Sequence, residues 1–216
     1  MDNNFHYCFD LDGTLIDSIP LMRRSWENVC EVFGLDIPWT KYQENIGLQF
    51  ETICNNLGIG LLSAEIAEVY FSFNKKNYQT ISPMPQLNEL LEKLNSEKRD
   101  WSIITSKPRH SYEKIADHFK LNPKFVICGD DLTMGKPDKE AGQMLCKSLA
   151  LKSKEVIYVG DTLIDHLFAI NSGFSFAGFQ RQEGASQKII GNQFLHSPLI
   201  MNDFTRVGNL MDVFSV

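Results

Sequence analysis

Five short apolar runs, separated by helical patterns, constrain the fold of this 216-residue chain more than any other feature. They lie at Phe5–Asp10, Trp101–Thr105, Phe125–Cys128, Val156–Gly160 and Phe174–Gly178. Short apolar runs that end in turn signals, such as Asp12-Gly13, read as buried strands. Between them, Leu87, Leu90, Leu91 and Leu94 recur at i, i+3, i+4 and i+7, the spacing of one helix face. Tyr112, Ile115, Ala116 and Phe119 repeat that spacing, and Ala141, Met144 and Leu145 mark another helix. Strands alternating with helices predict an α/β fold, a parallel sheet with helices on both faces.

One stretch breaks the alternation. From Asp17 to Ile81 the patterns are helical only. Met22, Trp26, Val29, Cys30 and Phe33 share one face; Phe50, Ile53, Cys54 and Leu57 share a second; Ile66, Val69, Tyr70 and Phe73 share a third, with Ser63 as its expected N-cap. We therefore expect an all-helical domain over residues 17–81, inserted into a sheet domain formed by residues 1–16 and 82–216. Ser82-Pro83-Met84-Pro85 marks the return, and Phe204, Val207 and Met211 suggest a closing helix.

Composition narrows the function classes. The net charge is −6 and no dense Lys/Arg run occurs, which argues against a nucleic-acid surface and leaves room for a small anion at one focused site. The five cysteines, Cys8, Cys30, Cys54, Cys128 and Cys146, are widely spaced and form no C-x-x-C pair, so reduced thiols are expected. Neither a basic-flanked apolar leader nor an apolar run of roughly 18 residues is present, and the expectation is a cytoplasmic chain that does not span a membrane.

Four segments carry chemistry. Phe9-Asp10-Leu11-Asp12-Gly13-Thr14-Leu15-Ile16-Asp17-Ser18 sets two carboxylates two residues apart where a strand ends. Residues i and i+2 of a strand share a side, and ligands of open α/β sheets bind beyond the strands' carboxyl ends. An isolated acidic turn would read equally well as a strand terminator. Val159-Gly160-Asp161-Thr162-Leu163-Ile164-Asp165 follows another strand, and taken alone its acids fit a helix N-terminus stabilised by the macrodipole. Gly135-Lys136-Pro137 alone would be a solvated loop charge, and Thr105-Ser106-Lys107-Pro108 a simple turn. All four follow strand ends of one sheet and so can meet at one edge. Four carboxylates against one lysine repel each other and any phosphate, unless a hard cation with oxygen ligands sits among them; Mg2+ suits that role.

This ordered set resembles the haloacid dehalogenase superfamily, in particular its phosphoglycolate phosphatase-like branch with a helical cap. Ala169-Ile170-Asn171-Ser172-Gly173 resembles the usual tail of the last motif. The resemblance implies a Rossmann-like core with an inserted helical cap over 17–81, and a Mg2+-dependent phosphatase acting through an aspartyl-phosphate. It makes Asp10 the nucleophile, Asp12 the general acid/base, Thr105 a hydroxyl on the transferring phosphoryl group, and Lys136 the lysine that orients nucleophile and phosphate. Asp161 becomes a metal ligand and Asp165 a carboxylate beside the metal, which is also held by Asp10 and the backbone carbonyl of Asp12. The implied partner is a small phosphorylated metabolite, phosphoglycolate being the nearest family example, for a monomer or homodimer. The presence of Asp12 favours phosphoryl transfer over carbon–halogen cleavage.

Other readings stay open. A phosphosugar mutase would use Asp10 in the same way; a non-catalytic phosphate-binding module would not need the full set. A phosphonatase needs a cap lysine, for which Lys41 is the one near the cap loop. That loop, Glu44-Asn45-Ile46-Gly47-Leu48-Gln49, resembles the family's specificity loop, with Gly47 allowing close approach and Asn45 and Gln49 as polar contacts. With Ser106, Gly47 and Gln49 complete the expected substrate contacts. Two positions depart from the family's pattern: Gln86 stands where relatives often carry glycine, and Asp138-Lys139 follows Lys136-Pro137 in place of x-Pro.

Overall fold

The computed structural model describes residues 5–179 and a two-residue strand at 200–201. Its strands are β1 (His6–Phe9), β2 (Ile16–Asp17), β3 (Ser82–Pro83), β4 (Trp101–Ile104), β5 (Phe125–Ile127), β6 (Val156–Gly160), β7 (Ser175–Phe179) and β8 (Ile200–Met201). Six of them form one parallel sheet in the order β5-β4-β1-β6-β7-β8. Each of the five apolar runs overlaps one of these strands, with ends shifted by no more than a residue. Asp10, Thr105 and Cys128 lie just past the strands they were expected to close.

The topology decides where chemistry can occur. The chain leaves the central β1, builds β4 and β5 on one side, then crosses back to β6 and β7 on the other. Connections that depart in opposite directions open a crevice at the carboxyl ends of the strands between them. Asp10 continues the central strand into that crevice, its N–H donating to Val159 O at 2.8 Å.

The helices are α1 (Ile19–Phe33), α2 (Trp39–Gln43), α3 (Phe50–Asn56), α4 (Ser63–Asn77), α5 (Leu87–Ser96), α6 (Arg109–Phe119), α7 (Glu140–Leu149) and α8 (Leu163–Ser172). Side chains alternate across β1, so its neighbours sort onto two faces. Tyr7 and Phe9 pack with Leu87, Leu90 and Leu94 of α5 and with Tyr112 and Ile115 of α6. Cys8 packs on the other face with Leu145 of α7 and with Phe168 and Ala169 of α8.

The segment from α1 to α4 has its own core of Trp26, Val29, Tyr42, Ile53, Cys54, Ile66 and Tyr70. It leaves and rejoins the sheet region through an antiparallel pair, Ile16 opposite Pro83 and Asp17 opposite Ser82. Gly34 ends α1 in the left-handed region (φ 62°), letting Leu35 N–H reach Cys30 O at 2.9 Å.

One expected cap is corrected. Ser63 does not cap α4 but is its first residue, because a 3-10 turn at Gly60–Leu62 runs directly into the helix and Leu62 occupies the cap position. All five cysteines are free. Among the described residues, no helix is long and apolar enough to cross a membrane. The expected closing helix at Phe204, Val207 and Met211 lies outside the described residues.

Candidate active site

Three acidic side chains and one lysine meet beneath the crevice. Asp10 follows β1; Asp161 follows β6; Asp165 lies in the first turn of α8; Lys136 comes from the loop ahead of α7. All four are buried. Lys136 Nζ donates to Asp10 Oδ1 at 2.6 Å and to Asp165 Oδ1 at 2.7 Å, so one ammonium bridges carboxylates from two elements. Tyr158 supports the pair from inside β6. Its hydroxyl accepts from Lys136 at 3.2 Å and lies within hydrogen-bond distance of Ile104 O and Asp165 Oδ1.

Local sequence explains the placement of Asp165. Thr162 is the N-cap of α8, accepting from Asp165 N–H, while Asp165 Oδ2 accepts from Thr162 N–H at 3.1 Å and from its hydroxyl at 2.6 Å. This reciprocal capping box spends one carboxylate oxygen on the helix end and leaves the other for Lys136. The reading of Asp165 as a helix-terminal acid is therefore correct, and it joins the cluster as well. Asp161 sits just ahead of the helix, where its Oδ1 accepts from Thr14 Oγ1 at 3.1 Å. Gly13 makes this approach possible. Its φ is +87°, and a Cβ there would lie 2.1 Å from Asp161 Oδ2.

Oxygens of Asp10, Asp161 and Asp165 lie within 4.8 Å of one another. Burial pushes the Asp10 carboxyl up to about 7, with Asp165 and Asp12 adding to the rise and Lys136 opposing it. Burial also raises Asp161 well above the usual carboxylate range, with Asp165 and Asp10 contributing further. Burial alone would lower Lys136, but Asp10 and Asp165 more than reverse it, and its ammonium is held above the ordinary lysine value. Three carboxylates against one ammonium leave negative charge uncompensated. An all-oxygen donor set of this kind fits a hard divalent cation such as Mg2+.

Asp12 occupies a different place. Its Oδ1 accepts from Ser18 Oγ at 2.5 Å and pairs with Lys107 Nζ at 3.1 Å, and its carboxylate lies outside the three-acid cluster. Lys107 was missed as a site residue: in the sequence it is one lysine in a turn, and only the fold sets it against Asp12. Tyr158 was missed because it reads as one more residue of an apolar strand.

Above the cluster, a cleft partly open to solvent lies between the sheet edge and the helical segment. The core supplies Asp10, Asp12, Thr105, Ser106, Lys107 and Thr162 to its wall. Thr105 Oγ1 accepts from Lys107 N–H at 3.2 Å, which fixes the hydroxyl at the strand end. Gly47 lines the cleft with φ +102°, and its carbonyl accepts from Ser106 Oγ at 2.5 Å. Gln49 does not line it. Its amide donates to Gly129 O at 2.7 Å and clamps the cap loop onto the core. Asn45 bonds within the cap, to Lys41 O and to Asn56.

Comparison with known proteins places this geometry. The sequence pattern of the family described as "Haloacid dehalogenase-like hydrolase" matches residues 7–179. A phosphoglycolate phosphatase from Pseudomonas fluorescens is 27% identical over 177 residues, covering 76% of this chain and 65% of that protein. Hexitol phosphatase A from Escherichia coli is 27% identical over 176 residues, covering 77% of this chain and 79% of its own. The chain thus spans about two thirds of the length of the first of these relatives. The crystal structure of a haloacid dehalogenase-like hydrolase from Bacteroides fragilis superimposes with a TM-score of 0.82 at 24% identity, covering 94% of this chain and 99% of that one. The protein belongs to the haloacid dehalogenase-like hydrolases.

Proposed function

We propose that this protein is a phosphoric monoester hydrolase that works with Mg2+ and forms an aspartyl-phosphate on Asp10. The observation that carries this reading is the Lys136 ammonium, held between Asp10 and Asp165 beneath a cleft lined by Asp12 and Thr105. A carboxylate is a poor nucleophile toward an anionic ester, because like charges repel. Lys136 cancels part of that repulsion at the attacking group. Mg2+, bound by Asp10, Asp161 and Asp165, would supply the remaining positive charge against the phosphoryl oxygens.

In the first step, the Asp10 carboxylate attacks phosphorus and the ester P–O bond breaks. Asp12 gives its proton to the departing alkoxide, and Thr105 donates to a phosphoryl oxygen. In the second, Asp12 takes a proton from water, whose oxygen attacks phosphorus; phosphate leaves and the Asp10 carboxylate is restored. Ser18 and Lys107 both engage Asp12 Oδ1, which leaves Oδ2 to face the substrate. Asp12 would serve the cation through its backbone carbonyl, since its carboxylate lies outside the three-acid cluster.

The related phosphatases act on small molecules by name, phosphoglycolate for one and hexitol phosphates for the other, and a small phosphomonoester is the substrate class proposed here. The test is free phosphate released from a panel of such esters, with Mg2+ and with EDTA. Wild-type protein is expected to release phosphate only with the metal, and Asp10→Asn to lose about 10³-fold or more of kcat. Most of the activity surviving in Asp10→Asn would remove Asp10 as nucleophile. Isomerisation of a hexose 1-phosphate without free phosphate would turn the reading to a mutase.

A further inference from the structure

The two halves of the cleft differ in chemistry. The core half is polar and charged, as described above. The cap half presents Met22, Ile46, Leu48 and Phe50, and the polar side chains it contributes are those of Tyr42 and Tyr70. Among the described residues, no arginine or lysine of the cap lines it. Arg23 pairs with Glu27 on the surface, Arg24 donates to Thr80, and Lys41 pairs with Glu44. Lys107, which does reach the cleft, belongs to the core and is paired with Asp12.

Tyr70 Oη is enclosed and meets no partner in hydrogen-bond geometry. The Tyr42 and Asn74 side chains lie close enough to influence its ionisation, but the Asn74 amide is committed to the Tyr70 carbonyl at 3.1 Å. The two tyrosine rings stack at 5.8 Å, and both tyrosines line the same cleft as Asp12. Buried polar atoms are nearly always satisfied, so an orphaned hydroxyl on a cleft wall points to a group that arrives with a ligand. A phenol can donate and accept, which suits an alcohol.

We propose that Tyr70, with Tyr42 beside it, reads a hydroxyl of the leaving group, and that the substrate is the monophosphate of a neutral polyol or sugar rather than of a hydroxy acid. This deepens the phosphatase reading and rests on it. A leaving group carrying a carboxylate would bring a second charge against an apolar wall with no cation to receive it, whereas a neutral polyol lays its CH faces on the Phe50 and Tyr42 rings and needs one or two hydroxyl partners. A site built to bond a substrate hydroxyl also rejects analogues that lack it, because its own polar atom is then left buried and unpaired.

The experiment measures kcat/KM with Mg2+ for glucitol 6-phosphate, glucose 6-phosphate, glycerol 1-phosphate, 2-phosphoglycolate and p-nitrophenyl phosphate, on wild type and Tyr70→Phe. A polyol or sugar phosphate is expected to exceed 2-phosphoglycolate. Tyr70→Phe is expected to lose about tenfold more on that substrate than on p-nitrophenyl phosphate, which offers no aliphatic hydroxyl. The variant deletes an unpartnered atom, so its melting temperature should equal or exceed that of wild type. Preference for 2-phosphoglycolate, an equal loss on every substrate, or a fall of several degrees in Tm would each overturn the proposal while leaving the phosphatase reading intact. Absence of turnover on every ester would instead remove the phosphatase reading, and this proposal with it.

Discussion

Lys136 answers for more charge than any other side chain described. Its Nζ meets Asp10 and Asp165 within 2.7 Å, with Asp161 in the same buried cluster. Removing one partner of a buried ion pair is strongly destabilising, because the other charge is left without compensation. Lys136→Met is therefore expected to lower kcat by roughly 10²–10³-fold and to lose about 3 kcal/mol of stability in EDTA. Mg2+ should recover part of the stability but not the rate, which urea unfolding with and without the metal would check. The segments holding Asp10, Asp12 and Asp161 were legible in the sequence because each follows a strand end, whereas Lys136, in the loop ahead of α7, stood out only through the family resemblance. The pairing of Asp12 with Lys107 was not legible, since it depends on a distance between residues 95 positions apart. Gln49 shows the reverse. It was expected to contact substrate and instead binds the Gly129 carbonyl across the cap–core boundary.

At the scale of elements, the start of α5 carries a local conflict. Gln86 occupies the N-cap in the left-handed region, φ 65°, and its side-chain oxygen is enclosed without a partner. A non-glycine residue there is disfavoured by roughly 1–2 kcal/mol, part of which glycine returns as extra backbone entropy in the unfolded chain. Gln86→Gly should thus raise stability by up to about 1 kcal/mol, measured as a higher Tm with unchanged kcat. The departure from the family's glycine was visible in the sequence, but only the backbone conformation gives it a physical meaning. Ser63 teaches the same lesson. Its residue type suits an N-cap, yet the 3-10 turn before it moves the helix start by one residue. The capping box at Thr162 and Asp165 has the residue types and spacing of a helix start, and its double use, ending a helix and meeting Lys136, needed the fold.

For the whole molecule, the central strand contributes to stability against acid. His6 in β1 is buried and its Nε2 lies 2.8 Å from Ser102 Oγ in β4. Burial lowers its pKa from 6.5 to about 4, with Asp100 opposing the shift. The unfolded chain therefore binds this proton near pH 6.5, while the folded protein resists it down to about pH 4. Stability linked to this group is intact above pH 6.5 and falls through that window, by on the order of 3 kcal/mol at its lower end. His6→Asn should flatten the loss between pH 6.5 and 4 in urea melts; an unchanged slope would place the acid sensitivity elsewhere. By itself the sequence determined the alternation of strands and helices, the insertion of a helical segment after the first strand, and which strand ends carry acids and hydroxyls. Those features are local: periodicity within a window and residue type at a turn. Only the tertiary structure decided which carboxylate oxygens cluster, that Lys107 faces Asp12, and that an apolar wall with an unpartnered Tyr70 hydroxyl covers the cleft. These depend on crossing back at β1 and on folding the cap over the sheet edge, which bring together residues that no local pattern relates.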